Sequence, residues 1–252
     1  MRRMDKRSPL ATEYREPLSR SPLFHGLPEP LLEKMLAAFR LESRGKGSRL
    51  TALATRERFY VILEGRLEVS RSHPESGRQI VLFLLGPGDG FDLITLLDGE
   101  PHETESLALD DLRLLSAPLE RVRGWLSEYP EFNRRFLPYL GERLRGLESL
   151  ASDLALHDTA TRMARLILRH TDPQAHGDSH PVRLIADLNH ETLARMVGSV
   201  RQVVNRHLQG FRRRGLVEGE KGRWVVTDLE ALKAQAGEVL RRIEHHERRP
   251  RT

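Results

Sequence analysis

Hydrophobic positions along this chain fall into three successive patterns. Over residues 21–40 apolar side chains recur at helical spacing, and Leu31, Leu32, Met35 and Leu36 predict the inward stripe of a short helix. From about 41 to 120 the pattern shortens to β-runs between turns. Phe59, Val61, Leu63 and then Leu67 and Val69 alternate on either side of Glu64-Gly65, a hairpin signal. Residues 79–89 predict a buried strand that ends in a Gly-Pro-Gly turn, and residues 107–118 predict another hairpin turning at Asp110-Asp111. Several short strands at this spacing predict a small antiparallel barrel or jelly roll.

The third pattern is helical again. In residues 131–157, Leu137, Leu140, Leu144, Leu147, Ala151 and Leu154 follow steps of three and four, an a/d seam of nearly three heptads. So narrow a stripe suits a parallel homodimer better than a broad core face. Pro138 stands near the start and is expected to kink or delay the helix. Residues 188–217 then predict two short helices around a tight turn. Asn189 is an N-cap candidate, Leu193, Ala194, Met196 and Val197 form the buried side, and Gly198 ends the first helix. Ser199 is read as the start of the second helix, with Gln202 at capping-box spacing. Val203, Val204 and Leu208 are expected inward; Arg201, Gln202, Asn205 and Arg206 are expected outward. That exposed set is the chemistry that reads base edges in a major groove. Ser199, Arg212 and Arg213, with Lys221 and Arg223 on a following hairpin wing, are expected on phosphates.

Charge sharpens this picture. Residues 1–158 hold 23 Lys and Arg against 25 Asp and Glu, a balance of −2, whereas residues 159–252 hold 18 against 11, a balance of +7. The basic excess lies with the helix-turn-helix, which favours double-stranded DNA as partner. The chain has no cysteine, which excludes disulfides, thiolate zinc sites and cysteine-held iron–sulfur clusters. The basic N-terminus has no apolar stretch of a secretory signal, and no run of about 18 apolar residues marks a membrane span. A cytoplasmic protein without membrane attachment is expected.

The predicted architecture is α+β: an N-terminal antiparallel β-roll of jelly-roll type, a long dimerisation helix and a C-terminal winged helix-turn-helix. The boundaries are a flexible basic arm over 1–20, the roll over 21–130, the long helix over 131–158, the DNA-binding domain over 159–237 and a charged tail over 238–252. This order resembles the CRP/FNR family of bacterial transcription regulators over residues 21–235. The carrying stretches are VILEGRLEV, GPGD, LLDGEP (96–101), YPEFNRRF and LARMVGSVRQVVNRHLQGFRRRGLVE.

The resemblance implies a dimer on a palindromic operator and contact with RNA polymerase. It also implies that the recognition helix opens with an Arg-Glu pair reading G and C; here the pair is Arg201-Gln202. Arg201 retains the bidentate guanine contact, while the Gln202 amide suits adenine rather than cytosine N4. Arg206 matches the family's second arginine. His207 stands where the family often has Ile or Leu, and is read as a half-buried neutral packing residue.

In the effector pocket, the ribose carboxylate of cyclic-AMP-binding members falls on Asp92, their Arg-Ser phosphate pair on His102-Glu103, and their purine contacts on Leu147-Glu148. Glu103 and Glu105 would repel a phosphate, and no arginine lies between Arg78 and Arg113. The pocket is therefore read as vestigial and the protein as independent of cyclic nucleotides, with neither cofactor nor metal. The alternative within the fold is a cyclic-AMP- or cyclic-GMP-gated regulator with an atypical pocket. An enzyme built on the roll would need paired acid and base or clustered ligands, and His73 and His102 are isolated in the sequence; no catalytic residue is assigned.

Overall fold

A computed structural model describes residue 18 and residues 21–100, 103–172, 180–219 and 224–237. The N-terminal arm apart from Leu18, the wing tip with Lys221 and Arg223, His102 and the charged tail lie outside the described residues. The chain divides into two compact units, Met1–Ser152 and Asp153–Thr252. Among the described residues no helix is long and apolar enough to cross a membrane.

The first unit opens with helix α1 (Glu29–Leu36), which starts behind Pro28 and buries Leu32, Met35 and Leu36. Two antiparallel sheets follow. One runs β1 (Arg40–Arg44), β7 (Leu112–Pro118), β2 (Arg58–Glu64), β5 (Gly90–Phe91) in spatial order; the other runs β4 (Gln79–Leu85), β3 (Leu67–Ser72), β6 (Glu105–Ala108). Short helices α2 (Ala52–Glu57) and α3 (Leu93–Asp98) interrupt the strands, and α4 (Leu119–Glu128) leads to the long helix α5 (Pro130–Leu156). Neither short helix has the length that makes a helical period visible in sequence.

Two connections read as hairpins are sheet-to-sheet corners. β2 pairs with β5 and β7, and β3 pairs with β4 and β6, so the chain changes sheet at Gly65. Likewise β6 lies on β3 while β7 lies on β1 and β2, so it changes sheet again at Asp110-Asp111. The two corners are packed on each other. Leu109 N–H donates to Arg66 O at 2.9 Å, and the Arg66 guanidinium holds Asp110 by two bonds of 2.6 and 2.9 Å. Gly65 has φ +83°, and a Cβ there would sit 2.4 Å from Asp111 O. Alternation predicts strands; it does not say with which strand each one pairs.

β2 is buried on both faces, which explains its unbroken apolar run. Tyr60 and Ile62 enter the core between the sheets with Leu67, Val69, Leu112 and Leu114. Phe59, Val61 and Leu63 face a second core shared with α1, α4 and the first turns of α5. Phe24, Phe39, Trp125, Phe132 and Phe136 form its aromatic chain, with centroids 5.7 to 6.1 Å apart. Leu18, inside the expected arm, is 1% exposed and joins this core. β4, expected to be a buried strand, has only Val81 and Leu85 buried.

The second unit takes in the last turn of α5, helix α6 (Thr159–Arg169), helices α7 (His190–Met196), α8 (Arg201–Arg213) and α9 (Leu229–Gln235), and a small sheet. The sheet pairs β9 (Val217–Glu218) with β10 (Val225–Val226) as a wing, and β10 with β8 (His180–Pro181) on its other side. Asp158 caps α6 through Thr161 N at 2.7 Å. Asp153 is buried, and its two oxygens accept from Arg165 at 2.7 Å and Arg169 at 2.9 Å; Arg165 also donates to Ala236 O at 2.8 Å.

Two predictions follow the packing. Gly65→Ala should destabilise the protein by about 2–3 kcal/mol in urea unfolding, because Ala must adopt a disfavoured φ against a backbone carbonyl. Gly45→Ala, in open space, should leave the midpoint nearly unchanged. The second concerns His170, which desolvation, helped by Arg169, pushes down to about 4. The unfolded chain then binds a proton that the folded chain refuses between pH about 6.5 and 4. Stability should fall as pH drops through that window, by up to about 1.4 kcal/mol per pH unit. His170→Gln should flatten the pH dependence of the unfolding free energy there.

Candidate nucleic-acid interface and effector cavity

The helix-turn-helix is assembled from local signals. Asn189 Oδ1 accepts from Thr192 N at 2.8 Å, which caps α7 as expected. Leu193, Ala194, Met196 and Val197 are buried, and Gly198 takes φ +62° after the helix end. Ser199 N–H then donates to Ala194 O at 2.9 Å. The second helix begins one residue later than the capping box implied. Its N-cap is Val200, with φ −116° and no side-chain cap bond, so Ser199 and Gln202 do not form a box. Exposed Val200 stands in the turn.

α8 presents two unlike faces. Val204, Leu208 and Phe211 are buried at 0 to 1% exposure and Val203 is half-buried. Arg201, Gln202 and Arg206 are exposed and Asn205 is half-buried. Arg212 and Arg213 are exposed near its C-terminal end, and Ser199 is half-buried in the turn. The helix stops at Gly215 (φ +69°), where Leu216 N–H donates to Phe211 O at 3.0 Å. Two further groups belong to this basic surface and escaped the sequence reading. Arg214 lies 5.3 Å from the Phe211 ring centroid. His190 is held below its ordinary value by burial first, then by Arg201 and Arg212. His207 is half-buried and also lowered, by burial and then Arg206, against an opposing pull from Asp158.

Of the candidate effector residues, Asp92 and Leu147 line one cavity, whereas Glu103 and Glu148 are exposed. Asp92 adopts φ +66° and spends its carboxylate on capping α3, accepting from Thr95 N at 3.2 Å. Glu103 is exposed and pairs with Arg71 at 2.6 Å, and Glu105 pairs with Arg49 at 2.5 Å. Glu148 is exposed, whereas Leu147 lines a cavity of about 100 Å³. Phe83, Leu85, Phe91, Ile94 and Leu144 are among the rest of its wall.

This cavity contains a cation that scanning the β-region could not find. Arg143, from the long helix, lies in the wall and donates to Asp89 Oδ1. It also lies 4.7 Å from the Tyr139 ring centroid, one helical turn back. Tyr139 Oη donates to Asp89 Oδ1 at 3.2 Å and accepts from Gly90 N at 3.0 Å, while Asp89 Oδ2 accepts from Gly86 N at 2.9 Å. Burial raises the Asp89 carboxyl, with Arg143 and the Gly86 amide pulling the other way, and burial then Asp89 push the Tyr139 phenol up. The i, i+4, i+8 spacing of Tyr139, Arg143 and Leu147 was the signal available.

The seam residues differ in exposure. Leu137 is 59% and Leu144 58% exposed. Ala151 is exposed as well, and Leu140, Leu147 and Leu154 are half-buried. The buried side of α5 is carried instead by Phe132, Phe136 and Tyr139.

Comparison with known proteins matches both parts of the chain. A family model described as a cyclic nucleotide-binding domain fits residues 46–129, and one described as a Crp-like helix-turn-helix domain fits residues 161–235. The transcriptional regulator SdrP of Thermus thermophilus is 30% identical over 182 residues, 72% of this chain and 85% of the relative. A CRP-like cAMP-activated global transcriptional regulator of Mycobacterium tuberculosis is 28% identical over 180 residues, 71% of this chain and 80% of the relative. Among solved structures, a CooA mutant from Carboxydothermus hydrogenoformans has a TM-score of 0.68 at 23% identity, covering 81% of this chain and 90% of that one, a likeness of fold.

Proposed function

Because this chain belongs to the CRP/FNR family of transcription regulators and carries a Crp-like helix-turn-helix DNA-binding domain, we propose that it acts as a homodimer on a palindromic operator, without a cyclic nucleotide. The observation that carries the DNA reading is α8, whose Val204–Leu208–Phe211 face is buried while Arg201, Gln202 and Arg206 stand out. In this reading Arg201 takes guanine by a bidentate contact, Gln202 and Asn205 select neighbouring bases, and Arg206 holds base or phosphate. Ser199, Arg212, Arg213 and the wing residues Lys221 and Arg223 position the backbone. The exposed leucines of α5 support the dimer, since an apolar stripe of this kind is normally covered. The protein is read as a cytoplasmic, non-enzymatic regulator that meets RNA polymerase at promoters.

Independence from cyclic nucleotide rests on the cavity. Its wall is apolar, its arginine is already paired with Asp89, and Asp92 is occupied as a cap. A cyclic phosphate needs a free cation or amide cluster there. A second reading, a nucleotide-gated switch, has its own support. The fold is matched by a cyclic nucleotide-binding domain model, and the Mycobacterium tuberculosis relative is described as cAMP-activated.

Fluorescence-anisotropy titration of the protein against palindromic and scrambled duplexes separates the two. Selective binding without nucleotide is expected, unchanged by cyclic AMP; selectivity that appears only with cyclic AMP supports the gated switch. Calorimetry should detect no micromolar binding of cyclic AMP or cyclic GMP. Affinity should fall steeply with salt through counterion release. Arg201→Ala should cost about 1–3 kcal/mol on the preferred site and relax selectivity at one base. Unchanged affinity and selectivity in that variant would remove Arg201 from the recognition role.

A further inference from the structure

The exposed face at the start of α8 is polar except for one side chain. Val200 is 57% exposed. The other large exposed hydrophobics among the described residues of the second unit are Leu156, at the end of α5, and Leu184, between β8 and α7. Val200 differs from both in place. It directly precedes Arg201 and Gln202, and its carbonyl accepts from Val203 N at 3.1 Å and Val204 N at 3.2 Å. Those bonds tie it to the first turn of α8, the turn that carries two of the proposed base-reading side chains.

Valine is a poor choice at this position on grounds of stability. It has no oxygen to accept from a first-turn amide, whereas Ser, Thr, Asn or Asp there stabilises a helix start. The chain uses such caps elsewhere: Thr51, Asp92, Asp158, Asn189 and Asp228 each accept from an amide of the helix they begin. Helices α1 and α4 begin behind prolines, and α5 begins at one. Among the described helices α8 alone has neither device. An apolar β-branched side chain held in water here gains its value only when another apolar group covers it.

The major groove offers such a group. Of the four bases, thymine alone presents a methyl there, on C5. The N-terminal residues of a recognition helix are the ones that meet base edges. We infer that Val200 reads a thymine methyl next to the base taken by Arg201, and so adds an apolar determinant to the polar set. The inference rests on the operator-binding reading and deepens it.

The test starts with the full chain, which enriches a palindromic duplex from a random pool with and without cyclic AMP, so that either form of regulator is captured. The duplex is then remade with deoxyuridine in place of one thymine at a time. This change removes the methyl and leaves every hydrogen-bonding group. Anisotropy should show about a fourfold loss of affinity at a thymine next to the position where Arg201→Ala relaxes selectivity. That ratio corresponds to about 0.8 kcal/mol for one buried group of CH2 size.

Val200→Ala removes the two methyls without offering a cap, and should bind the thymine and deoxyuridine duplexes equally. Val200→Ser should also lose the discrimination while its thermal midpoint rises, because the hydroxyl supplies the missing cap. A variant that is more stable yet indifferent to the methyl separates base contact from a packing role. The inference is overturned if no thymine next to that position responds to deoxyuridine, or if the response persists in Val200→Ala and Val200→Ser. It is also overturned if Val200→Ser loses stability along with discrimination, as a packing residue would. Failure of the operator-binding reading has a different signature: no duplex is enriched over scrambled DNA.

Discussion

The Asp89 carboxylate joins three parts of the first unit that are distant in sequence. One oxygen closes the Gly-Pro-Gly turn on the Gly86 amide, and the other receives Tyr139 and Arg143 from the long helix. Burial disfavours its charge, and Arg143 is the cation that offsets this. Removing one partner of a buried pair costs about 3–5 kcal/mol, because the remaining charge is left uncompensated. The network therefore fixes the rotation of α5 about its own axis. With Tyr139 and Arg143 turned toward the roll, Leu144 and Leu147 must fall over the cavity, and Leu137 must point away from it.

That rotation gives one helix two kinds of apolar surface. Phe132, Phe136 and Tyr139 complete the aromatic core of the first unit, at 1 to 2% exposure. Of the heptad leucines, Leu140 packs against that core, whereas Leu137 and Leu144 stand exposed. A helix that served only to close the roll would gain nothing from Leu137 and Leu144, each more than half exposed. Burial of a leucine is worth about 1.5–3 kcal/mol, so pairing this stripe across a two-fold axis is a large reward for small sequence change.

Much of this was legible from residue spacing, and the failures have a common cause. Local signals were read well. Asn189 caps α7 and Gly198 ends it, and Val204 and Leu208 of α8 are buried as their spacing required, while Val203 is half-buried. The long helix ran from 130 rather than 131 and absorbed Pro138 without ending. Non-local pairing was not legible. Strands that follow one another across Gly65 and Asp110-Asp111 look like hairpins in sequence, yet they belong to different sheets. The Ser199–Gln202 box failed because Val200, one residue on, takes the extended N-cap backbone. Arg143 was not legible from the stretch between Arg78 and Arg113, because the cavity's cation comes from a helix more than fifty positions after Asp89.

The shared leucines have a thermodynamic consequence. A ligand moves an equilibrium only by the difference in its affinity for the two states. Leu144 and Leu147 line the cavity and also belong to the proposed seam, so pairing of that seam would act on the cavity wall. Any molecule that fits one arrangement better must bias dimerisation by the same factor that dimerisation biases its binding. Two recognition helices held by one dimer bind a palindrome far more tightly than one helix alone, because the second contact becomes intramolecular.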